Sequence, residues 1–359
     1  MAVQVPMIDD DGVAAALPYA ACIDVMENAL RAYDRGDAVQ PLRSVIALPD
    51  GSGSLYTMPA FTAGPRALAV KMITVFPGNE TRSLPSHQGL VVVFDTDTGT
   101  PVLLLDAARL TAIRTAAVSA VATRALARKD ASVLAVLGSG VQARSHIGAL
   151  PHVRPIREVR IWGRNKEHAL RLAREVTGDR LYPLEGSRRA VDIHPVDSSG
   201  HAGGFHSVDT TSRPARPEIV VSDTAEHAVR GADIVCTTTS AREPVLHGEW
   251  LKPGAHVNAV GVSTPVAREV DGAAVGMSRI FVDSIDAALA EAGDLLIAAS
   301  EGATNPNDWL PIGTVLNGVV SGRETDDDVT LFKSVGLAIE DAAAAAYIAA
   351  QLRHRETDE

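Results

Sequence analysis

The feature that most constrains this chain is a glycine turn between a continuous apolar run, residues 132–137, and a helical segment. The turn reads Gly138, Ser139, Gly140, Val141, Gln142 and Ala143. This is a G-x-G-x-x-A element in the strand–turn–helix context that dinucleotide binding requires. The first glycine permits the tight turn, the second lets the backbone approach a pyrophosphate, and the alanine allows close packing of helix on sheet. The helix N-terminus then offers free N–H groups to the phosphates, so the segment predicts a dinucleotide-binding turn.

Strands and helices alternate along the chain that follows this turn. Strand-like runs lie at 158–162, 219–221, 233–238, 256–260 and 280–282, with a helical segment at 225–230. Buried-strand composition in such an alternation indicates a parallel, doubly wound sheet. We therefore predict an α/β fold with a Rossmann-type NAD(P)-binding domain over residues 129–324. Within it, residues 186–217 are rich in Gly, Ser, His, Arg and Pro without an apolar period, which predicts a flexible insertion.

The first part of the chain has a different pattern. A helical segment at 13–32 is interrupted at Pro18. Short strand-like runs then follow at 44–48, 54–58, 67–75, 90–95 and 102–105. Strands bunched in this way are typical of a mainly antiparallel sheet. Asp106 is a candidate N-cap for a long helix over 107–127, and an alanine-rich helix over 334–352 is expected to return to this part. We predict an α+β substrate-binding and dimerisation domain formed by residues 1–128 and 325–359.

The end of the second strand of the parallel sheet discriminates between the two nicotinamide cofactors. An acidic residue about 20 positions beyond the glycines would bind the ribose 2′-hydroxyl of NAD. Here the strand is followed by Gly163, Arg164, Asn165 and Lys166, without an acid. Arg164 is placed to bind a 2′-phosphate, and Lys166 adds charge. We therefore prefer NADP(H) over NAD(H), the alternative being that Arg164 is an ordinary surface side chain.

Two later strand ends complete the predicted cofactor site. Thr237 and Val260 stand at the carboxyl ends of the strand-like runs 233–238 and 256–260. Because ligands of doubly wound sheets bind outside the carboxyl ends of the strands, we expect both residues to border the cofactor.

Arg114 is the first candidate for substrate binding. In the predicted long helix it shares a stripe with Ala117, Val118 and Val121. A guanidinium on the apolar face of a helix needs an anionic partner, since burying it alone costs several kcal/mol. Periodicity leaves two interpretations open: a substrate-binding arginine, or a buried ion pair with a carboxylate of the protein.

Lys71 and Arg43 are the other candidate cations. Lys71 lies within the apolar run 67–75, where desolvation would lower the pKa of its ammonium and suit it to proton transfer. The alternative is an edge lysine whose ammonium reaches water. Arg43 precedes the first strand-like run. Three cations facing a nicotinamide cleft would form a pocket for a carboxylate.

Composition excludes several other classes of protein. The 359 residues carry a formal net charge of −11 and only 4% aromatic residues, which disfavours nucleic-acid binding. The longest apolar runs are too short to span a bilayer, and no secretory signal is apparent at the N-terminus. Cys22 and Cys236 form no C-x-x-C pair, which fits a reducing compartment. We expect a cytoplasmic protein that acts on a small molecule.

Six segments together resemble one known family. They are QPLR at 40–43, KMITVFPGN at 71–79, PSHQGLVVVFD at 85–95, LDAARLTAIRTAAVSAVAT at 105–123, LGSGVQA at 137–143 and FKSVGLAIED at 332–341. The chain resembles the ornithine cyclodeaminase/μ-crystallin family over nearly its whole length except the insertion. The resemblance implies a Rossmann-type domain joined to a substrate domain that pairs sheets across a homodimer. It also implies that Arg43, Lys71 and Arg114 hold the carboxylate and the imine or amine end of the substrate beside the nicotinamide.

Two departures from the cyclodeaminase pattern bear on the reaction. Cyclodeaminases of this family carry an aspartate after the NAVG strand end, where this chain has Ser263. They also carry a glutamate two residues before the MP pair, where this chain has Tyr56. A site that grips a second, cationic amine needs such acids, so their absence counts against ornithine. Ser263 is instead expected to border the substrate side of the nicotinamide.

We therefore expect an NAD(P)H-dependent reductase of a small α-imino or α-keto acid. Arg43 and Arg114 would hold the substrate's carboxylate, and Lys71 would donate or relay a proton as hydride arrives. His87 and Gln88 are expected to orient the reacting group. The first alternative is a redox-neutral ornithine or lysine cyclodeaminase with bound NAD. The second is a binding protein that retains its cofactor without turnover.

Overall fold

The computed structural model describes residues 5–178 and 216–357, and these contain two β-sheets with helices around them. The first sheet contains β1 (Met7–Ile8), β2 (Ala38–Val39), β3 (Ser44–Ala47), β4 (Ser54–Ala63), β5 (Arg66–Val75), β6 (His87–Phe94) and β7 (Pro101–Asp106). The second sheet contains β8 (Val133–Leu137), β9 (Glu158–Trp162), β10 (Glu218–Val221), β11 (Ile234–Thr237), β12 (His256–Ala259), β13 (Ser278–Val282), β14 (Leu310–Pro311) and β15 (Val329–Lys333).

The helices connect and cover these sheets. They are α1 (Asp10–Ala16), α2 (Tyr19–Asp34), α3 (Ala107–Leu126), α4 (Val141–Ala149), α5 (Lys166–Thr177), α6 (Ala225–Val229), α7 (Gly272–Gly276), α8 (Ile285–Glu291), α9 (Gly293–Ser300), α10 (Ile312–Leu316) and α11 (Ala338–Thr357). Short 3-10 helices lie at Pro77–Arg82, Leu150–His152, Gly248–Trp250 and Pro306–Asp308.

The first sheet is mainly antiparallel, as predicted. Its order is β1-β7-β6-β5-β4-β2, with β3 also pairing β4, and only β1 runs parallel to its neighbour β7. Period-two alternation is clear on β5, where Ala69, Lys71 and Ile73 are buried, whereas Leu68 and Met72 each expose 37% of their surface. The inner face is covered by α2, α3 and α11.

The helices on this sheet follow the sequence signals closely. Pro18 separates α1 from α2, and the side chain of Asp106 accepts a hydrogen bond from the Arg109 N–H at the start of α3. Within residues 5–178 and 216–357, no single helix is long and apolar enough to cross a membrane. The two halves α1 and α2, bent by 79° at their break, reach that length and composition only together.

The second sheet is entirely parallel and confirms the doubly wound prediction. Its order is β10-β9-β8-β11-β12-β15-β13-β14. The chain therefore forms β8, β9 and β10 in succession toward one edge of the sheet. It then places β11 on the other side of β8. This creates a topological switch point between β8 and β11, where ligands of such sheets bind at the carboxyl ends of the strands. Four of the five β8 residues are fully buried, as expected for a central parallel strand.

The predicted domain boundary needs one correction. β15 lies inside the parallel sheet, between β12 and β13, whereas the sequence pattern places residues 325–359 in the substrate-binding domain. The strand was missed because Thr330 and Lys333 interrupt its apolar run; both are fully buried and satisfied inside the protein. Only α11, beyond this strand, packs on the first sheet. Of the predicted insertion 186–217, all but residues 216 and 217 lie outside the described residues.

Candidate active site

The glycine turn lies at the carboxyl edge of the parallel sheet, beside the switch point. Gly138 has φ +135°, and a Cβ built there would lie 2.4 Å from Thr238 Oγ1, so only glycine fits. At Gly140 the space is open: among the described residues, no atom lies within 4 Å of a Cβ built on it. Gly140 also precedes α4 and provides no side chain to cap it, so the first N–H groups of that helix are available to an anion.

The rest of the turn has the expected arrangement. Ala143 is fully buried against the sheet, Val141 is 66% exposed on the first turn of α4, and Ser139 and Gln142 are half-buried. His146, also on α4, bonds Ser119 of α3 at 2.8 Å, and burial lowers the pKa of this histidine to about 4. The open backbone and the uncapped helix together fit the pyrophosphate of a dinucleotide.

Arg164, Asn165 and Lys166, which follow Gly163 at the end of β9, have different surroundings. Arg164 is exposed at this edge. The side chain of Asn165 accepts from the N–H groups of Glu167 and His168, so it caps α5. Lys166 is exposed, with Nζ 2.6 Å from Asp223 Oδ1, an ion pair of little energetic weight.

Thr237, which is predicted to border the cofactor, makes its side-chain hydrogen bond inside the protein. It is fully buried, and its hydroxyl donates to Glu269 Oε2 over 2.9 Å, while its carbonyl accepts from the N–H of Val260. Its side chain is therefore directed into the protein. Val260 is half-buried directly after β12, and Ser263 is exposed on the loop that follows.

Two predicted cations and two acids form one buried group, which we call the Lys71–Arg114 cluster: Lys71, Arg114, Glu340 and Asp341. Asp341 Oδ2 lies 2.7 Å from Lys71 Nζ, and its Oδ1 lies 2.8 Å from Arg114 Nε. Glu340 Oε2 lies 2.8 Å from Arg114 Nη1. All four side chains are at least 96% buried. Strand β5, helix α3 and the first turn of α11 thus bring one lysine and one arginine together around a shared aspartate.

The segment between β15 and α11 makes this approach possible. Gly336 has φ +81°, and a Cβ on it would lie 3.0 Å from Arg114 Nη1. Asp283, at the carboxyl end of β13, accepts from the N–H groups of Val335 and Gly336 at 2.7 and 2.8 Å. Because β13 and β15 both end at this edge of the parallel sheet, the cluster lies at the edge that carries the glycine turn.

Arg43 also contacts the segment between β15 and α11. Its Nη2 lies 2.9 Å from Glu291 Oε2 and donates to the carbonyl of Gly336 at 2.8 Å. Nearby, Gln40 Oε1 accepts from the N–H of Ile339 at the start of α11. A narrow cavity between these elements is lined in part by Arg43, Met58, Glu291 and Ala338. The structure therefore brings the three predicted cations to one region, and each has an acidic partner within the protein.

Burial shifts the pKa values of the ionisable side chains in the cluster. It lowers the pKa of Lys71 to about 8, against the opposing attraction of Asp341. It raises the pKa of Glu340 to about 7, against the attraction of Arg114. Burial also acts to raise the pKa of Asp341, but the two cations beside it hold that pKa below its usual range. When Glu340 is protonated, two cations face one anion, and the cluster can accept one further negative charge.

Strand register separates the two polar residues predicted on β6. His87 lies opposite Val75 and shares a sheet face with Lys71, whereas Gln88 lies opposite Thr74 on the other face. The Gln88 side chain donates to the carbonyl of Pro85. Alternation along the strand therefore turns the Gln88 side chain away from the sheet face that carries Lys71.

Sequence reasoning missed the acids of this region. Glu340 and Asp341 stand in the first turn of an alanine-rich helix, where acids commonly complement the helix dipole. Glu291 and Glu269 lie in segments with no recognisable motif. The available signal was the need of a buried Arg114 for an anion, which predicted a partner but not its position.

These observations define a class: a two-sheet protein with a Rossmann-type dinucleotide site next to a buried, carboxylate-bridged pair of cations. The chain belongs to the ornithine cyclodeaminase/mu-crystallin family, whose model matches residues 6–184 and 201–356. The family predicted from the sequence is confirmed.

Individual relatives agree over nearly the full length. The ketimine reductase mu-crystallin of Rattus norvegicus is 36% identical over 328 residues, which cover 90% of this chain and 89% of the relative. The structure of Thermococcus litoralis Δ1-pyrroline-2-carboxylate reductase in complex with NADH and L-proline superposes with a TM-score of 0.84 at 32% identity, covering 97% and 98% of the two chains. An archaeal alanine dehydrogenase dimer with bound NAD superposes with a TM-score of 0.83 at 28% identity, covering 99% and 98%.

Proposed function

We propose that this chain is an NAD(P)H-dependent oxidoreductase that reduces the C=N bond of a small cyclic α-imino acid. The observation that carries the proposal is the Lys71–Arg114 cluster, which lies at the sheet edge of the dinucleotide turn and can accept one more negative charge when Glu340 is protonated. The names of the ketimine reductase and pyrroline-2-carboxylate reductase relatives support the same reaction and a nicotinamide cofactor. The product is the corresponding cyclic α-amino acid.

Each residue of the proposed active site has its own role in the reduction. A reduced nicotinamide supplies the hydride that the imine carbon accepts. Arg114 and Arg43 bind the substrate's carboxylate, which takes the place that Glu340 and Glu291 have beside them in the absence of substrate. Lys71, as the ammonium, gives a proton to the imine nitrogen, so that the C=N double bond becomes CH–NH. Asp341 holds Lys71 and Arg114 in one geometry, and His87 and Ser263 border the substrate.

For the cofactor, we propose a preference for NADP(H) over NAD(H). Arg164 is exposed at the end of β9 with Lys166 two positions on, where a 2′-phosphate would lie. The pyrophosphate is assigned to the turn 138–143, and Val260 borders the nicotinamide side.

We also propose that the protein is a homodimer formed through the outer face of the first sheet. Leu68 and Met72 on β5 and Ile46 on β3 are exposed there, at 37%, 37% and 61%. Apolar side chains grouped on one sheet face are typical of an interface. Analytical ultracentrifugation tests this directly: a dimer is expected, and Met72→Lys is expected to shift the population to monomer.

A substrate panel tests the reaction. Δ1-Pyrroline-2-carboxylate and Δ1-piperideine-2-carboxylate are offered with NADPH and then NADH, and oxidation is followed by nicotinamide absorbance. We expect turnover on at least one imino acid, faster with NADPH, with proline or pipecolate as the product. The absence of turnover on both imino acids contradicts the proposal. Release of ammonia from ornithine without net oxidation of NADH would identify a cyclodeaminase instead.

A further inference from the structure

Glu269 is a fully buried carboxylate that joins two loops at the carboxyl edge of the parallel sheet. Its Oε2 accepts from Thr237 Oγ1 at 2.9 Å and from the Gly261 N–H at 2.7 Å. Its Oε1 accepts from the N–H and the hydroxyl of Thr239 at 2.6 and 2.7 Å. One loop follows β11 and the other follows β12, so a single side chain fixes both against each other.

The two loops also touch directly. A Cβ built on Gly261 would lie 2.1 Å from the carbonyl oxygen of Thr239 and 2.6 Å from Glu269 Oε1. The contact therefore leaves no room for a side chain at residue 261. Their separation is set by backbone contact together with the four hydrogen bonds to Glu269.

Two further buried charged residues, Asp294 and Lys333, stabilise the position of Glu269. Asp294 Oδ1 accepts from the N–H groups of Glu269 and Val270 at 2.6 and 3.0 Å. Lys333 Nζ lies 2.8 Å from Asp294 Oδ2 and also donates to the carbonyl of Val262, on the second loop. Asp294 and Lys333 are fully buried as well. Burying three ionisable groups is costly, so the network fixes this edge with more precision than apolar packing would supply.

We propose that Glu269 is a positioning residue for the nicotinamide end of the cofactor. β11 is next to the switch point and β12 is its neighbour, so the loops that Glu269 joins border the cleft on the side away from the pyrophosphate turn. The inference rests on the nicotinamide cofactor of the proposed function. Two different parts of the protein then act on the two ends of the cofactor. The turn 138–143 binds the pyrophosphate, and Glu269 holds in place the two loops that lie beside the nicotinamide.

Comparing two ligands tests this assignment. ADP-ribose contains the pyrophosphate and both riboses of NADH but lacks the nicotinamide. Dissociation constants of both are measured by titration for the wild type and for Glu269→Gln, which keeps the shape but offers one acceptor oxygen instead of two. We expect NADH to bind about tenfold more weakly and ADP-ribose to bind within about twofold of the wild type.

The chain offers a matched control at the opposite edge of the same sheet. Asp233 accepts from the N–H groups of Ser132 and Val133 and pairs with Lys252, at the amino ends of β8 and β11. Asp233→Asn removes a comparable carboxylate, and we expect it to leave the ratio of the two dissociation constants unchanged. If Glu269→Gln does not fold, Thr237→Val, which deletes one of the four hydrogen bonds, is expected to change the ratio in the same direction by a smaller factor.

Two results would overturn the inference. A Glu269→Gln protein, or failing that a Thr237→Val protein, that binds both ligands with equal loss shows that the residue merely stabilises the fold. A wild-type chain that binds ADP-ribose and NADH equally well shows that these loops do not contact the nicotinamide. Both titrations measure binding and not turnover, so a failure of imine reduction with intact NADH binding would refute the proposed substrate and leave this inference standing.

Discussion

The glycine turn and the Lys71–Arg114 cluster both face the carboxyl edge of the parallel sheet, but they are built to bind anions in opposite ways. The turn offers backbone N–H groups and an open surface at Gly140, with no charged side chain of its own. The cluster offers two buried cations that Glu340 and Asp341 already neutralise. Under the proposed function, the cofactor meets helix N–H groups that no side chain caps in the described part of the chain, whereas a substrate carboxylate must compete with the protein's own acids.

We therefore expect the glycine turn to supply affinity for the cofactor and the Lys71–Arg114 cluster to supply selectivity for the substrate. A preformed backbone cradle binds any suitable phosphate at little cost in reorganisation. When Glu340 is protonated, the cluster lacks one negative charge, so it admits an anion and penalises a neutral molecule of the same shape.

Removing the proposed proton donor is expected to have the largest effect. Lys71→Ala should lower kcat for imine reduction by about 10²–10⁴-fold, because the imine nitrogen then loses its proton source. Binding of NADPH should change little, since the turn 138–143 is independent of Lys71. Steady-state kinetics and a cofactor titration check both halves. The exposed Lys129 provides the control, and an unchanged kcat in Lys71→Ala would assign the proton to another group.

Removing the buried guanidinium is expected to weaken both substrate binding and the fold. Arg114→Ala leaves two buried acids with fewer partners, which should cost about 3–5 kcal/mol of unfolding free energy and raise KM for the imino acid. Arg109 is the matched control on the same helix α3, because its partner Asp10 is half exposed. Arg109→Ala should cost no more than about 1 kcal/mol in urea unfolding. Equal losses in the two variants would show that burial of the cluster carries no special weight.

The pH dependence tests the charge state of the cluster. The pKa of Lys71 is about 8, and the charged groups around it are Asp341, Arg114 and Arg43. Reduction needs the ammonium, which is present below this pKa and lost above it, so kcat should fall about tenfold per pH unit above pH 8. Lys71→Arg keeps the charge at all these pH values but is a poor proton donor, so its lower residual kcat should show no decline between pH 8 and 10. A wild-type kcat that is flat from pH 7 to 10 would contradict the assignment.

The smallest expected effect is on the choice of cofactor. Arg164→Ala should raise KM for NADPH by about tenfold and leave KM for NADH unchanged, because only NADPH carries the 2′-phosphate. Parallel kinetics with both cofactors measure the ratio, and Arg171→Ala on the exposed face of α5 is the control. A loss that is equal for both cofactors would place Arg164 at a shared part of the dinucleotide.

The same contrast explains what the sequence could and could not predict. The turn, its strand and its helix are contiguous, so spacing alone predicted them. The cluster joins β5, α3 and α11, which are distant in sequence, so only the cations and the need for an anion were predictable. The strand register turns Gln88 to the sheet face opposite Lys71, which the sequence alone does not reveal. The strand β15 was not recognised because it contains Lys333, whose buried partner Asp294 is distant in sequence.

One measurement tests most directly whether the cluster recognises a carboxylate. The NADPH-loaded protein is titrated with pyrrole-2-carboxylate, a flat mimic of a cyclic imino acid, and with pyrrole-2-carboxamide, its neutral counterpart. We predict that the carboxylate binds at least about 100-fold more tightly and competes with the imino acid, since only the carboxylate can replace an acid of the protein beside Arg114 or Arg43. Equal binding of the two molecules would contradict the central claim.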